Sequence, residues 1–333
     1  METSITISNN SSNNAQSQIR GLGRYVDALR KTLDDKNIRG VFINPFFNVI
    51  ARPEISAELF SKSQKKIAVI HDIIPLKFPQ FPWVGVKGRV WTVLNRLLLR
   101  FFDLVVTDSN TSKDDIIRVL HVPIAKVHVA YPYSSLQEID PQETPKMLPY
   151  DLKPNTYLIY VGDVNWHKNI VSVARAAIAA NTQLVCVGGA FVERVQNHPW
   201  LKDLQDFLGL ARQHSDIIIT TGFIDDLILA TLYQNALANI LISLDEGFGY
   251  SYVEAAHFCT PSILSDAPIF HEISGDKGAV FVNPTDIEQI VDQIVTMQRD
   301  PQHREKLGQE ARDRSAHYSI GAFRKQWAEL LHV

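Results

Sequence analysis

The sequence predicts an α/β protein built from two doubly wound domains with parallel sheets. Three observations carry that expectation. Short apolar runs rich in Val and Ile alternate with longer helical stretches along most of the chain. Strands that are apolar on both faces belong in parallel sheets covered by helices on each side. The runs are too numerous for one comfortable sheet, and a polar, Pro-bearing, strand-free segment, SSLQEIDPQETPKMLPYDLKPN (134–155), divides them into two groups. The expected parts are a first domain over 1–145, a second over 146–315, and a terminal helix in 316–333 that packs back on the first. Ligands of such sheets bind at the carboxyl ends of the strands. The expected site therefore lies in a cleft where the two domains face each other.

In the first half, VFINPF (41–46), KIAVIHD (66–72), DLVVTDS (103–109) and KVHVAYP (126–132) read as strands. Each is short, β-branched and bounded by polar residues or Pro. Helical stretches fill 24–34, 86–101 and 112–120. In the second half the strands are TYLIYVGD (156–163), QLVCVGG (183–189), DIIITTG (216–222), ANILISL (238–244), PSILSD (261–266) and AVFVN (279–283). Helices are expected at 169–179, 199–212, 226–236, 250–258, 286–298 and 301–314. No repeat of fixed period is present. The run NNSSNN (9–14) reads as a loop near the terminus.

The 333 residues are 45% hydrophobic and 21% charged, an ordinary globular composition that excludes collagen, coiled coil and general disorder. Two cysteines, Cys186 and Cys259, make neither a disulfide framework nor a Cys-x-x-Cys metal site, so a reducing, cytoplasmic setting is expected. The first residues lack the apolar core of a signal peptide. No window approaches the ~18 charge-free apolar residues of a membrane span.

The net charge of −3 hides an asymmetry. Residues 1–150 hold 19 Lys/Arg and 14 Asp/Glu, whereas the remainder holds 14 and 22. Residues 61–101 alone carry eight basic residues and one acidic residue. Within 84–102, Lys87, Arg89, Arg96 and Arg100 alternate with Trp91, Leu97, Leu98, Leu99 and Phe101. Such a helix suits an anionic membrane surface, at the inner face of the plasma membrane. It equally suits a core helix with solvated basic residues. No aromatic–basic sheet motif accompanies the charge, so nucleic acid is not an expected partner.

The densest chemical signal is DEGFGYSYVEAAHFCTPSILSD (245–266). It follows an apolar strand. Gly247 and Gly249 permit a tight turn and close approach of backbone to a ligand. A helix then starts near Tyr250, where backbone N–H groups and the helix dipole suit a phosphate. Glu246 sits on the loop and Glu254 one turn into the helix. Ser251 and Glu254 also have the spacing of a capping box, which would make Glu254 a helix-start residue only.

Glu246 and Glu254 form an E-x7-E pattern, and the chain resembles the retaining glycosyltransferases of family 4, which have the two-domain GT-B fold. TGFIDDLILATLYQNALANILISLDEGFGYSYVEAAHFCTPSILSDAPIFHEISGDKGAVFVNPTD is similar to that family's C-terminal domain. TYLIYVGDVNWHKNI resembles its first strand, loop and helix. In the first half, GLGRYVDALRKTL (21–33) resembles the glycine loop and first helix. IHDIIPLKFPQFP (70–82) resembles the His-Asp-x-x-Pro segment of a subgroup rich in mannosyltransferases. DSNTSKDDIIRVLHVPIAKVHVAYP (108–132) follows the same pattern. The likeness runs over roughly 20–330.

The resemblance implies a hexose, by subgroup mannose from GDP-mannose, moved to a hydroxyl of a saccharide or polyprenyl-linked saccharide in cell-surface polysaccharide synthesis. Glu246 would hold the donor sugar near the reacting carbon. The amides of Gly247, Phe248, Gly249 and Tyr250 would bind hydroxyls and phosphate, and Glu254 the ribose. Lys168 would neutralise the departing diphosphate, beside Gly162 and Asp163. Gly21 and Gly23 would let the first loop approach the phosphates. His71 would contact a hydroxyl of the donor sugar; Asp72 and Arg24 are acceptor-side candidates. The family usually has Arg at the position of Asp163, so a cation is missing there, and Arg24 or His167 are the candidates to replace it. Front-side attack with retention is implied. No cofactor beyond the nucleotide-sugar co-substrate and no metal is expected. An epimerase on the same scaffold, or a binding subunit that has lost the chemistry, are the alternatives.

Overall fold

The computed structural model describes residues 6–7, 21–33, 40–44, 59–60, 65–78, 86–145, 147–192 and 201–332. The chain divides into two compact units, Met1–Tyr133 with Ile320–Val333, and Ser134–Ser319.

In the N-terminal unit the elements run β1 (Thr6–Ile7), α1 (Gly21–Leu33), β2 (Val41–Asn44), β3 (Lys65–Val69), α2 (Ile74–Lys77), α3 (Val86–Leu98), β4 (Leu104–Thr107), α4 (Asn110–Leu120) and β5 (Val127–Val129). The described strands form one parallel sheet in chain order. Alternation along each strand sends side chains to opposite faces. Val41, Ile43, Ile67, Val69 and Val106 pack with Tyr25, Ala28 and Leu29 of α1. Phe42, Ala68, Val105 and Val127 pack on the other face with Leu99, Phe102, Ile116 and Leu120.

The C-terminal unit runs β6 (Tyr157–Val161), α5 (Ile170–Ala179), β7 (Gln183–Val187), α6 (Lys202–Gln213), β8 (Ile218–Thr221), α7 (Asp226–Asn235), β9 (Ala238–Leu241), α8 (Tyr250–His257), β10 (Ser262–Ser265), α9 (Pro268–Ser274), β11 (Ala279–Val282), α10 (Ile287–Arg299) and α11 (Pro301–Ser315). Its parallel sheet has the order β11-β10-β9-β6-β7-β8. Leu158, Tyr160, Leu184, Cys186 and Ile240 face α5, α6 and α10, and Tyr157, Ile159, Val185 and Val187 face α7. A last helix, α12 (Ile320–Leu331), returns to the N-terminal unit and buries Phe323, Trp327 and Leu331 in its core.

Every strand expected in the two halves is present, with trimmed ends. Five features differ from expectation. The polar start of the chain contributes β1, too short for a period to show. The four-residue helix α2 was not foreseen. Nor was α9. Gly21 and Gly23 are not in a loop: they form the first turn of α1, because the buried stripe of Tyr25, Ala28, Leu29 and Leu33 extends the helix back to Gly21. The units divide at Tyr133 rather than at 145, because Leu136 and Ile139 pack in the core of the C-terminal unit. The NNSSNN run at 9–14 lies outside the described residues, as do the side chains of Lys87, Arg89 and Trp91.

Candidate active site

The strand order of the C-terminal unit reverses between β6 and β9, which are hydrogen-bonded neighbours. A crevice opens outside the carboxyl ends of the strands at such a switch point. The two loops that meet there are 162–169, after β6, and 242–249, after β9.

The loops are tied together by backbone and side chain. The Leu244 N–H donates to the His167 carbonyl at 2.7 Å. Lys168 closes a single 3-10 turn that ends on Asn169, in the left-handed region at φ 54°. The Asn169 amide donates to the Pro284 carbonyl at 2.7 Å and to the Ile242 carbonyl at 3.3 Å. Tyr160, buried near the end of β6, donates its hydroxyl to the carbonyl of Asp163 at 2.9 Å.

These ties bring Lys168 and Glu246 face to face. Lys168 Nζ lies 2.6 Å from Glu246 Oε1 and 2.7 Å from Oε2. Ser243 Oγ donates to Oε1 at 2.7 Å, and the Glu246 N–H donates to Asp245 at 3.0 Å. Burial pushes the Glu246 carboxyl up. The Lys168 ammonium and the bonds from Lys168 and Ser243 outweigh it and hold the group below the usual glutamate value. Glu246 is therefore a carboxylate at neutral pH. Burial, then the adjacent Lys168 charge, pushes His167 down to about 4. His167 is neutral at pH 7, so it is not the replacement cation that the sequence made it a candidate for.

Gly249 ends the second loop at φ +101° and caps α8. A Cβ there would lie 2.9 Å from Ile273 Cδ1 of α9, so both conformation and space require glycine. Phe248 is buried and packs edge-on against Tyr250 and Tyr318. The capping-box alternative does not form, since the cap is Gly249 and no side chain bonds it. Glu254 instead accepts from Ser134 Oγ at 2.6 Å and from the Tyr233 hydroxyl at 3.1 Å. Ser134, the first residue of this unit, and Tyr233 were not foreseen as its partners; they lie 120 and 21 residues away.

In the N-terminal unit, His71 follows β3 and Asp108 follows β4. His71 Nδ1 is 2.7 Å from Asp108 Oδ2, and the Tyr25 ring stands edge-on to the imidazole at 4.7 Å. Asp72 Oδ1 accepts from the Ile74 N–H at 3.1 Å, at the start of α2. Arg24 is half-buried on α1.

This arrangement, a lysine–glutamate pair at the switch point of a six-stranded sheet beside a glycine-capped helix, coincides with a family match. Residues 149–314 match the glycosyl transferases group 1. The matched stretch takes in both loops. The chain is 30% identical over 240 residues to the O-antigen chain mannosyltransferase RfbU of Salmonella typhimurium, covering 68% of this chain and 61% of that one. It is 24% identical to O-antigen chain mannosyltransferase B of Escherichia coli, covering 73% and 63%. The chain thus spans about three fifths of the length of these relatives. Among solved structures, the sucrose-phosphate synthase of Thermosynechococcus elongatus superposes with a TM-score of 0.71 at 19% identity, over 92% of this chain and 75% of that one. Anabaena HepE, in complex with UDP and glucose, gives 0.71 at 15%, over 92% and 80%. These likenesses show the fold: two Rossmann-like units of the GT-B kind.

Proposed function

We propose that the chain is a retaining hexosyltransferase that moves mannose from GDP-mannose to a hydroxyl of a lipid-linked saccharide, in the assembly of a cell-surface polysaccharide. The Lys168–Glu246 pair at the switch point carries this reading. The names of the O-antigen mannosyltransferases to which the chain is similar support the sugar and the class of acceptor.

In this reading Glu246, held as a carboxylate, orients the donor sugar near its reacting carbon. The amides of Gly247, Phe248, Gly249 and Tyr250 take sugar hydroxyls and phosphate, with Gly162 and Asp163 lining the opposite loop. Glu254 meets the ribose by exchanging its bonds from Ser134 and Tyr233. As the glycosidic bond breaks, negative charge grows on the diphosphate. Lys168 and the positive end of the α8 dipole stabilise it, and no metal is needed for that task. The acceptor hydroxyl attacks on the face that the diphosphate leaves, and a phosphate oxygen takes its proton. His71 contacts a hydroxyl of the donor sugar, and Asp72 and Arg24 serve the acceptor. The helix glycines Gly21 and Gly23 keep the start of α1 slim for the phosphates.

The acceptor class agrees with α3. Val90, Val93, Leu94 and Leu97 are exposed on one face of this helix, beside exposed Arg96 and Arg100. Among the described residues no helix is long and apolar enough to cross a membrane. The proposal is peripheral docking on the cytoplasmic face, through apolar side chains and anionic headgroups.

Thermal-shift titration with a panel of nucleoside diphosphates and nucleotide sugars tests the donor. A ligand that binds only the folded state raises Tm. GDP-mannose is expected to raise it, and Lys168→Ala to remove the shift. Absence of a shift with every nucleotide sugar would overturn the reading. Donor incubated without acceptor should give no epimer.

A further inference from the structure

The geometry points to Asp108 as a positioning residue: its buried carboxylate fixes the ring and tautomer of His71, so that Nε2 is the atom presented to a sugar hydroxyl. This rests on the reading of His71 as a substrate contact.

The pairing is built by the sheet. β3 and β4 are parallel neighbours in the register Val69↔Val106, and the Ile70 N–H donates to the Val106 carbonyl at 2.9 Å. Two residues beyond each register partner stand His71 and Asp108. The same strand ends that align the backbones therefore align imidazole and carboxylate, at 2.7 Å. Asp108 is buried, with its side chain 4% exposed against 18% for His71. A buried carboxylate that already accepts from one ring nitrogen holds that nitrogen protonated. Nδ1 then carries the proton, and a neutral ring meets any further group through Nε2 as an acceptor.

The surroundings keep the ring in place. Tyr25 of α1 packs its edge against the imidazole, and Phe323 of α12 packs against Tyr25 at 5.8 Å. Asp108 and Tyr25 are titratable groups in direct contact with the His71 ring. The Tyr25 hydroxyl is held well above its ordinary value by burial and then by the Asp108 charge, so it stays protonated throughout the working range. Asp108 Oδ1 is buried without a hydrogen-bond partner among the described residues. The carboxylate is thus not consumed by a structural network on its other oxygen. Among the described residues its side-chain hydrogen bond is to His71.

Imidazole 15N spectra of the histidine-labelled protein, assigned with His71→Ala, test the tautomer directly. The unaltered protein above its titration should carry the His71 proton on Nδ1. A proton on Nε2 would overturn the proposal without any variant. Asp108→Asn should shift the ring toward the Nε2-protonated form. In transfer assays the same change should lower kcat about 100-fold, the scale of a misplaced catalytic geometry, with the donor KM nearly unchanged. Asp108→Glu should restore part of kcat. A merely structural role for Asp108 would leave the tautomer in place, and that result overturns the inference. If His71→Ala itself leaves kcat unchanged, the underlying reading of His71 fails instead.

Discussion

Lys168 and Glu246 satisfy each other at the switch point of the C-terminal sheet. Removing one partner leaves the other in a poorly solvated place. Lys168→Ala is expected to cost about 3 kcal/mol of stability in urea unfolding, because the Glu246 carboxylate stays buried without its cation. Adding Glu246→Gln to Lys168→Ala should recover much of that stability and none of the transfer activity proposed for the site. His167 gives a pH signature. Its folded value of about 4 lies below the ordinary 6.5, so the unfolded chain takes up a proton in that interval and the folded one does not. Stability from this residue is present above pH 6.5 and lost as pH falls from 6.5 to about 4. His167→Gln should flatten that part of a Tm-versus-pH curve. Gly249→Ala should cost about 1–3 kcal/mol, from its left-handed backbone and the approach of Ile273. The sequence marked Lys168, Glu246 and Gly249 through local spacing. It could not pair residues 78 apart, nor assign Ser134 and Tyr233 to Glu254, because those meetings are made by the sheet order. The charge state of His167 was equally hidden, since it depends on burial.

At the scale of elements, α3 and α12 are the most informative helices. Among its described side chains, α3 packs Leu98 on the core, buries Asn95 and exposes Val90, Val93, Leu94 and Leu97. Flotation with anionic vesicles at low salt should carry the protein up, and Leu97→Asp should leave it in the lower fraction. Equal flotation of both would dismiss α3 as the docking face. α12 contributes fully buried Phe323 and Trp327 to the N-terminal core. Trp327→Ala should therefore destabilise that unit by about 3–5 kcal/mol, read as an earlier unfolding transition. Apart from β1, the strands were legible because parallel strands are apolar throughout, and their ends were overdrawn. Helix starts were less legible. The glycines before Tyr25 read as a loop, yet the packing of Ala28 and Leu29 draws them into α1. α9 was missed because its seven residues, PIFHEIS, follow a strand and a proline too closely to show a full period.

For the whole molecule, two sheets were legible in the sequence, while the path of the chain through them was only partly so. The polar segment after Tyr133 signals a change of unit, but Leu136 already belongs to the second core. Apolar residues inside a polar linker give no sign of which side they will join. The order of the C-terminal sheet explains why the two marked loops, far apart in sequence, end at one place: β6 and β9 are neighbours where the winding reverses. The return of α12 has a consequence for biosynthesis. The C-terminal unit is one uninterrupted stretch, Ser134–Ser319, whereas the N-terminal unit is spliced from two. Translation usually lets the earlier domain finish first. Here the ribosome must deliver the whole second unit before Phe323 and Trp327 emerge, so the part made first is the part completed last. A nascent chain held at the ribosome before α12 should resist protease across its later half while its earlier half is still being cut.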